Sequence, residues 1–180
     1  MASDNELVGK FLSGDHAAFD ELVIRHQKHV YSIAYRMVRH AETAEEIAQE
    51  TFIRAFRSLR SFRQEASLST WLCKITMNLC CDELKRRPNE VELNPETPEA
   101  NVTNSLPEKM AEEERKEWLE RQIDALPFKQ KSAVILRIFQ GMSFKEIGHA
   151  IGCSTGSAKV NYRHALLKLK DARANFGEGL

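Results

Sequence analysis

Long apolar runs are missing from this 180-residue chain, and nothing approaches the about 18 consecutive apolar residues a membrane-spanning helix requires. The opening residues, MASDNELVGK, lack the basic patch and apolar stretch of a secretory signal. Cysteine is scarce, and Cys73, Cys80, Cys81 and Cys153 include no CxxC pair, which argues against a disulfide framework and a structural zinc site. His26 with His29, and His149 near Cys153, lack a convincing third ligand, so neither a metal nor a cofactor is expected. Gly-rich phosphate loops and the G-x-S-x-G nucleophile turn are absent, so the chain is not expected to be an enzyme. A soluble, cytoplasmic, non-catalytic protein is what these absences leave.

Glycine and proline are unevenly spread. No glycine lies between positions 15 and 140, while Pro88, Pro95, Pro98 and Pro107 fall within 20 residues. From Pro88 to Glu108 there is no Lys, Arg or aromatic residue, but there are five glutamates. Such a segment buries too little apolar surface to offset its ordering entropy. The reading is therefore two domains, 1–87 and 108–180, joined by a flexible acidic linker over 88–107. A net charge of zero conceals a division: 13 Lys+Arg stand against 12 Asp+Glu in 1–87, 4 against 11 in 88–127, and 9 against 3 in 128–180. A basic C-terminal block next to an acidic stretch suggests a nucleic-acid contact.

Apolar residues recur at helical spacing and β-branched alternation is absent, so the fold class is all-α. Asp15 is expected to cap a helix running through Phe19, Leu22, Val30, Ile33 and Met37. Thr43 with Glu46 reads as a capping box opening a second, through Ile47, Phe52 and Phe56. Polar residues from Arg60 to Ser69 break the pattern, and a third helix runs from Trp71 through Leu84 until Pro88. Beyond the linker, Pro107 starts a charged helix, and Pro127 opens another through Val134 and Phe139 to Gly141. Ser143 and Glu146 form a second capping box, Gly152 turns the chain, and a last helix spans about Ser154 to Ala172.

Helix, glycine turn and longer basic helix over about 143–170 form a helix-turn-helix pattern, in which the second helix enters the major groove. Lys159, Arg163 and Lys170 fall on or near one face, flanked by Asn161, His164 and Lys168. Val160, Leu166, Leu167 and Leu169 are expected to supply much of the buried side. Ser154, Thr155 and Ser157 stand at the helix start, where free N–H groups and hydroxyls suit a phosphate. The plain alternative is a helical hairpin with a solvated basic face.

Three motifs occur together. The first is Ala44-Glu45-Glu46-Ile47-Ala48-Gln49-Glu50-Thr51-Phe52-Ile53-Arg54-Ala55-Phe56. The second is Ser69-Thr70-Trp71-Leu72 with Ile75 and Asn78. The third is Leu126-Pro127, then Phe144-Lys145-Glu146-Ile147-Gly148, then the helix from Ser154 to Lys170. Over nearly all of residues 15–172, and in the same order, they resemble the extracytoplasmic-function (ECF) sigma factors of the sigma-70 family, subunits that give bacterial RNA polymerase its promoter specificity.

The resemblance implies sigma region 2 over 1–87 and sigma region 4 over 108–180. It implies that Glu46, Gln49 and Glu50, with Phe52, meet the clamp helices of the polymerase's largest subunit, and that region 4 meets its flap. It implies that a promoter −10 base flips into a loop and helix start containing Arg63, Ser67, Thr70, Trp71 and Lys74, with Asn78, Lys85 and Arg86 along the same helix. Cations, hydroxyls and an aromatic ring suit an unstacked base, although Trp71 can equally be a core anchor. It implies −35 reading by Ser154, Thr155, Ser157, Lys159, Val160, Asn161, Arg163 and His164. The family's linker threads the polymerase, and an anti-sigma factor, often membrane-anchored, holds many members inactive.

Departures matter as well. Val160 and Asn161 replace polar and basic residues of the usual recognition helix, so the −35 sequence does not carry over from relatives. Cys80-Cys81 is unusual, and reads as two small buried residues. A regulator binding palindromic duplex DNA as a dimer is the competing function, but it needs neither the acidic-polar stripe nor the Trp71 loop.

Overall fold

A computed structural model describes residues 2–86 and 107–177, with side chains over 2–86 and 113–174. The linker expected over 88–107 lies outside the described residues except for Pro107, the first residue of a helix. Among the described residues every regular element is helical: α1 (Asp4–Leu12), α2 (Ala17–Val38), α3 (Ala41–Ser58), α4 (Leu68–Arg86), α5 (Pro107–Asp124), α6 (Phe128–Val134), α7 (Phe144–Ile151) and α8 (Thr155–Gly177). A 3-10 turn, Leu59–Ser61, follows α3, and α6 widens into a π turn over Ile135–Phe139. The single helix expected from Pro127 to Gly141 is thus two kinds of helix end to end.

α1 is an addition to the expected set. Ser3 and Glu6 exchange the two hydrogen bonds of a capping box, and Leu7, Val8 and Phe11 are buried against α2. Asp4 anchors this helix to α2 by an ion pair with Arg25 at 2.7 Å and a hydrogen bond with His26 Nε2 at 2.8 Å. α2 starts at Ala17 with His16, not Asp15, at the N-cap position, and Asp15 Oδ1 accepts the Ala17 N–H at 3.1 Å just ahead of it. The start of α3 is a correction. It begins at Ala41, and His40 Nδ1, not Thr43, accepts the first free N–H, that of Thr43 at 3.3 Å. Thr43 is inside the first turn and buried, because the helix opens earlier than the T-x-x-E spacing implies.

α1–α4 form one lobe. Where α3 crosses α4, Thr51 and Thr76 meet at 3.3 Å, each hydroxyl also bonding a carbonyl one turn back, so this buried polar pair is satisfied. α5–α8 form the second lobe. The lobes share a core: Ile33, Met37 and Met77 from the first join Leu136, Ile147 and Ala150 from the second in one buried cluster. α4 packs directly on α7.

Candidate functional site

Three surfaces collect the residues singled out in the sequence. The first is an apolar groove of about 760 Å³ between α2 and α3. Val23, Gln27 and Tyr31 line it from α2, and Glu45, Ala48, Gln49, Phe52 and Ile53 from α3. Of the expected stripe, Gln49 and Phe52 are here. Glu46 and Glu50 are not among the lining residues, and Glu50 is held by Arg54 at 2.7 Å. The sequence reading missed Glu45. Positions 45, 49 and 52 repeat at i, i+4 and i+7, so this second stripe was available in the sequence. Phe56 belongs elsewhere: it is 43% exposed, at the rim of an aromatic cluster with Phe11 and Phe19.

The second surface is a pocket of about 190 Å³ at the start of α4, enclosed by Arg63, Thr70, Trp71 and Lys74 together with Phe62, Glu65 and His149. Ser67 builds it from below. Its hydroxyl accepts the Thr70 N–H at 3.1 Å and lies 2.9 Å from the Thr70 hydroxyl, capping α4. Gln64 in the preceding loop has φ 56, a left-handed conformation that marks strain in the segment aiming Arg63. Trp71 is half-buried, its ring 5.2 Å from that of Phe62, so it is both an edge of the core and a wall of the pocket. Asn78 and Lys85 follow Trp71 at heptad spacing on the exposed face of α4, and Arg86 is exposed at its end. They extend about 21 Å away from the pocket, outside its walls. His149, from the other lobe, could not be assigned to this pocket without knowing how the lobes dock.

The third surface is the start of α8. Ser143 and Glu146 form the expected capping box of α7, with Glu146 Oε2 accepting the Ser143 N–H at 2.8 Å. Hydrogen bonds from the Ser143 side chain and backbone, and then from Thr70, hold the Glu146 carboxyl below its ordinary range, against the opposing effect of burial. Gly152 adopts φ 66 at the turn. Ser154 Oγ accepts the Ser157 N–H at 3.0 Å, and Asn161 donates to Ser157 O at 2.9 Å. Thr155, Lys159, Arg163 and His164 are exposed. The buried side of α8 differs from expectation. Val160, Leu166 and Leu167 are exposed at 51%, 40% and 48%; of the expected set Leu169 packs inward, joined by Ala158 and Ala165. Ala158 packs in the cluster that holds Ile147 and Ala150 of α7, and Ala165 in the one that holds Ile123 of α5 and Val134 of α6.

Cys153 lies in the turn beside Ser154, while Cys73, Cys80 and Cys81 are on α4 away from the lining of the groove and the pocket. Burial pushes the Cys73 thiol up, and that of Cys80 to about 12, so neither is a thiolate at neutral pH. Cys81 is only half-buried, so the adjacent pair is not buried as a unit.

The three surfaces are thus an exposed helix-turn-helix, an aromatic-cationic pocket and an apolar groove, carried on two helical lobes. Sigma-70 region 2 matches residues 22–89 and sigma-70 region 4 matches residues 116–169. The RNA polymerase sigma-H factor of Pseudomonas aeruginosa is 32% identical over 166 residues, covering 87% of this chain and 86% of that protein. The ECF RNA polymerase sigma-E factor of Escherichia coli is 34% identical over 167 residues, covering 87% of each. In overall shape the chain is similar to the sigma factor RpoE from Bartonella quintana, solved with the anti-sigma factor NepR. The TM-score is 0.66 at 20% identity, over 87% of this chain and 96% of that one. The chain belongs to the sigma-70 family, as an RNA polymerase sigma factor of the ECF class.

Proposed function

We propose that this sigma factor divides its work among the three surfaces. The groove between α2 and α3 takes a helical element of core RNA polymerase, with Glu45 and Gln49 at its polar edge and Phe52 and Ile53 as apolar contacts. The pocket at Trp71 receives an unstacked −10 base, with Arg63 and Lys74 attracting the flanking phosphates and Asn78, Lys85 and Arg86 extending that track. α8 reads the −35 duplex: Arg163 suits a guanine edge, Val160 a thymine methyl, and Ser154, Thr155 and Ser157 the backbone. Lys159, Asn161 and His164 flank this face. Residues 1–87 and 108–180 act as the two promoter-contacting domains. The chain carries out no catalysis itself, works in the cytoplasm on the nucleoid, and is silenced by an anti-sigma factor.

The observation that carries this reading is the groove: an open apolar channel rimmed by Glu45, Gln49 and Lys28, on the lobe that also carries the Trp71 pocket. Run-off transcription with purified core polymerase on genomic fragments is the test. Glu45→Lys with Gln49→Lys should abolish co-purification with core and transcript formation while leaving helicity intact. Undiminished co-purification would move the contact elsewhere.

A further inference from the structure

We propose that the two lobes are locked together by an ionic latch at the C-terminal end of α2, and that in the latched form α7 is a lid over the Trp71 pocket. The lid rests on the reading that this pocket takes a base; the latch does not.

α2 ends at Val38, and Arg39 follows with φ 56, a left-handed position usually given to glycine or asparagine. The side chain that occupies this strained position spans the lobes. Arg39 Nη1 lies 3.3 Å from Glu120 Oε2, and Nε lies 3.1 Å from Asp124 Oδ2, both acceptors being on α5. The other oxygen of Asp124 holds Lys131 Nζ at 2.8 Å. Lys131, its side chain only 8% exposed, also donates to Met37 O at 2.8 Å. A cation from the second lobe therefore satisfies one of the carbonyls left free at the end of α2. Asp124 sits between two cations, one from each lobe. Only the Lys131 side chain is buried; those of Arg39, Glu120 and Asp124 are 25%, 36% and 35% exposed, so the ion pairs add little net stability, and the penalty for mispaired docking falls on the Lys131 ammonium.

Docking in this register has a consequence at the opposite end of the interface. The Thr70 hydroxyl, on a residue 2% exposed, donates to Glu146 Oε1 at 3.5 Å, and His149 closes one side of the pocket. A carboxylate at this rim repels the phosphates that Arg63 and Lys74 attract. Lys159 and Arg163 on α8 stay exposed. The latched chain thus keeps its duplex-reading face available and covers its single-strand pocket.

Arg39→Gly suits the left-handed backbone and removes the guanidinium. Asp124→Asn takes the counter-charge from Lys131 in either form, at a cost that falls on the docked form, where the ammonium is buried against Met37 O. Together they leave the net charge unchanged and the folding of each lobe intact, which circular dichroism checks. Small-angle scattering and anisotropy with a labelled random single strand of about 12 nucleotides are then read on the full-length wild-type and double-variant chains. The wild type should be compact, with a radius of gyration of about 16 Å. The variant should expand by several ångströms and bind the strand about tenfold more tightly. No expansion overturns the latch, and expansion with equal strand binding overturns the lid. If the variant expands but neither protein binds the strand, the base-pocket reading falls and the latch stands.

Discussion

Trp71 lies against Phe62 with ring centroids 5.2 Å apart and also lines the pocket at the start of α4. Because it is only half-buried, Trp71→Ala should cost roughly 2 kcal/mol, below the about 3–5 kcal/mol of a fully buried ring. Promoter opening should fail at temperatures where the variant is still folded, which thermal melting beside permanganate footprinting measures. Gly148 is a sharper case. A Cβ added there would stand 2.7 Å from the Cys153 carbonyl oxygen, a backbone atom at the turn into α8. Gly148→Ala should cost about 1–3 kcal/mol and weaken duplex binding by tilting α8, readable as a lower melting temperature and a loss of −35 protection. At this scale the sequence identified residue types well and orientation less well. Gln49 and Phe52 line the α2–α3 groove, and Arg63, Thr70, Trp71 and Lys74 line the pocket at the start of α4. Glu46 and Glu50 do not line the groove, because the stripe facing it depends on where α2 crosses α3, which spacing along α3 alone does not encode.

Helix starts were legible where a single capping residue competes. Ser143 is such a case, and its box with Glu146 forms as read. At α3, His40 captures the Thr43 N–H three residues before the expected box, so the T-x-x-E match was coincidental. α1 went unread although Ser3 and Glu6 have the same spacing as the Ser143 box. α8 shows a different failure: its leucines looked like a core stripe, yet of them Leu169 packs inward, beside Ala158 clustered with α7 and Ala165 clustered with α5 and α6. Ser143→Ala should destabilise α7 by about 1 kcal/mol. The carboxyl of Glu146 is held below its ordinary value, so its contribution is complete above about pH 4.5 and disappears as pH falls through the lowered value. The wild-type advantage over Ser143→Ala should therefore shrink on acidification below about pH 4.5. Urea titrations of both proteins across that range measure it.

Two lobes were expected from the proline-rich acidic stretch between them, and two are present. Their docking was not legible, because Ile33, Met37 and Met77 have the same spacing whether a neighbouring helix or another lobe covers them. A cluster shared across both lobes makes their unfolding interdependent. Scanning calorimetry should record one transition for the wild-type chain and two for Arg39→Gly/Asp124→Asn, where each lobe melts alone. The same shared cluster gives polymerase association a thermal signature. Docking of a polymerase helix in the α2–α3 groove, as proposed, would bury apolar surface and lower the heat capacity. Release of the proposed latch on binding would re-hydrate Ile33, Met77, Leu136 and Ile147, and apolar exposure raises it. Titration calorimetry at several temperatures should therefore give a decrement smaller than the contact area implies, and the shortfall measures how much greasy surface the free subunit had been hiding from water.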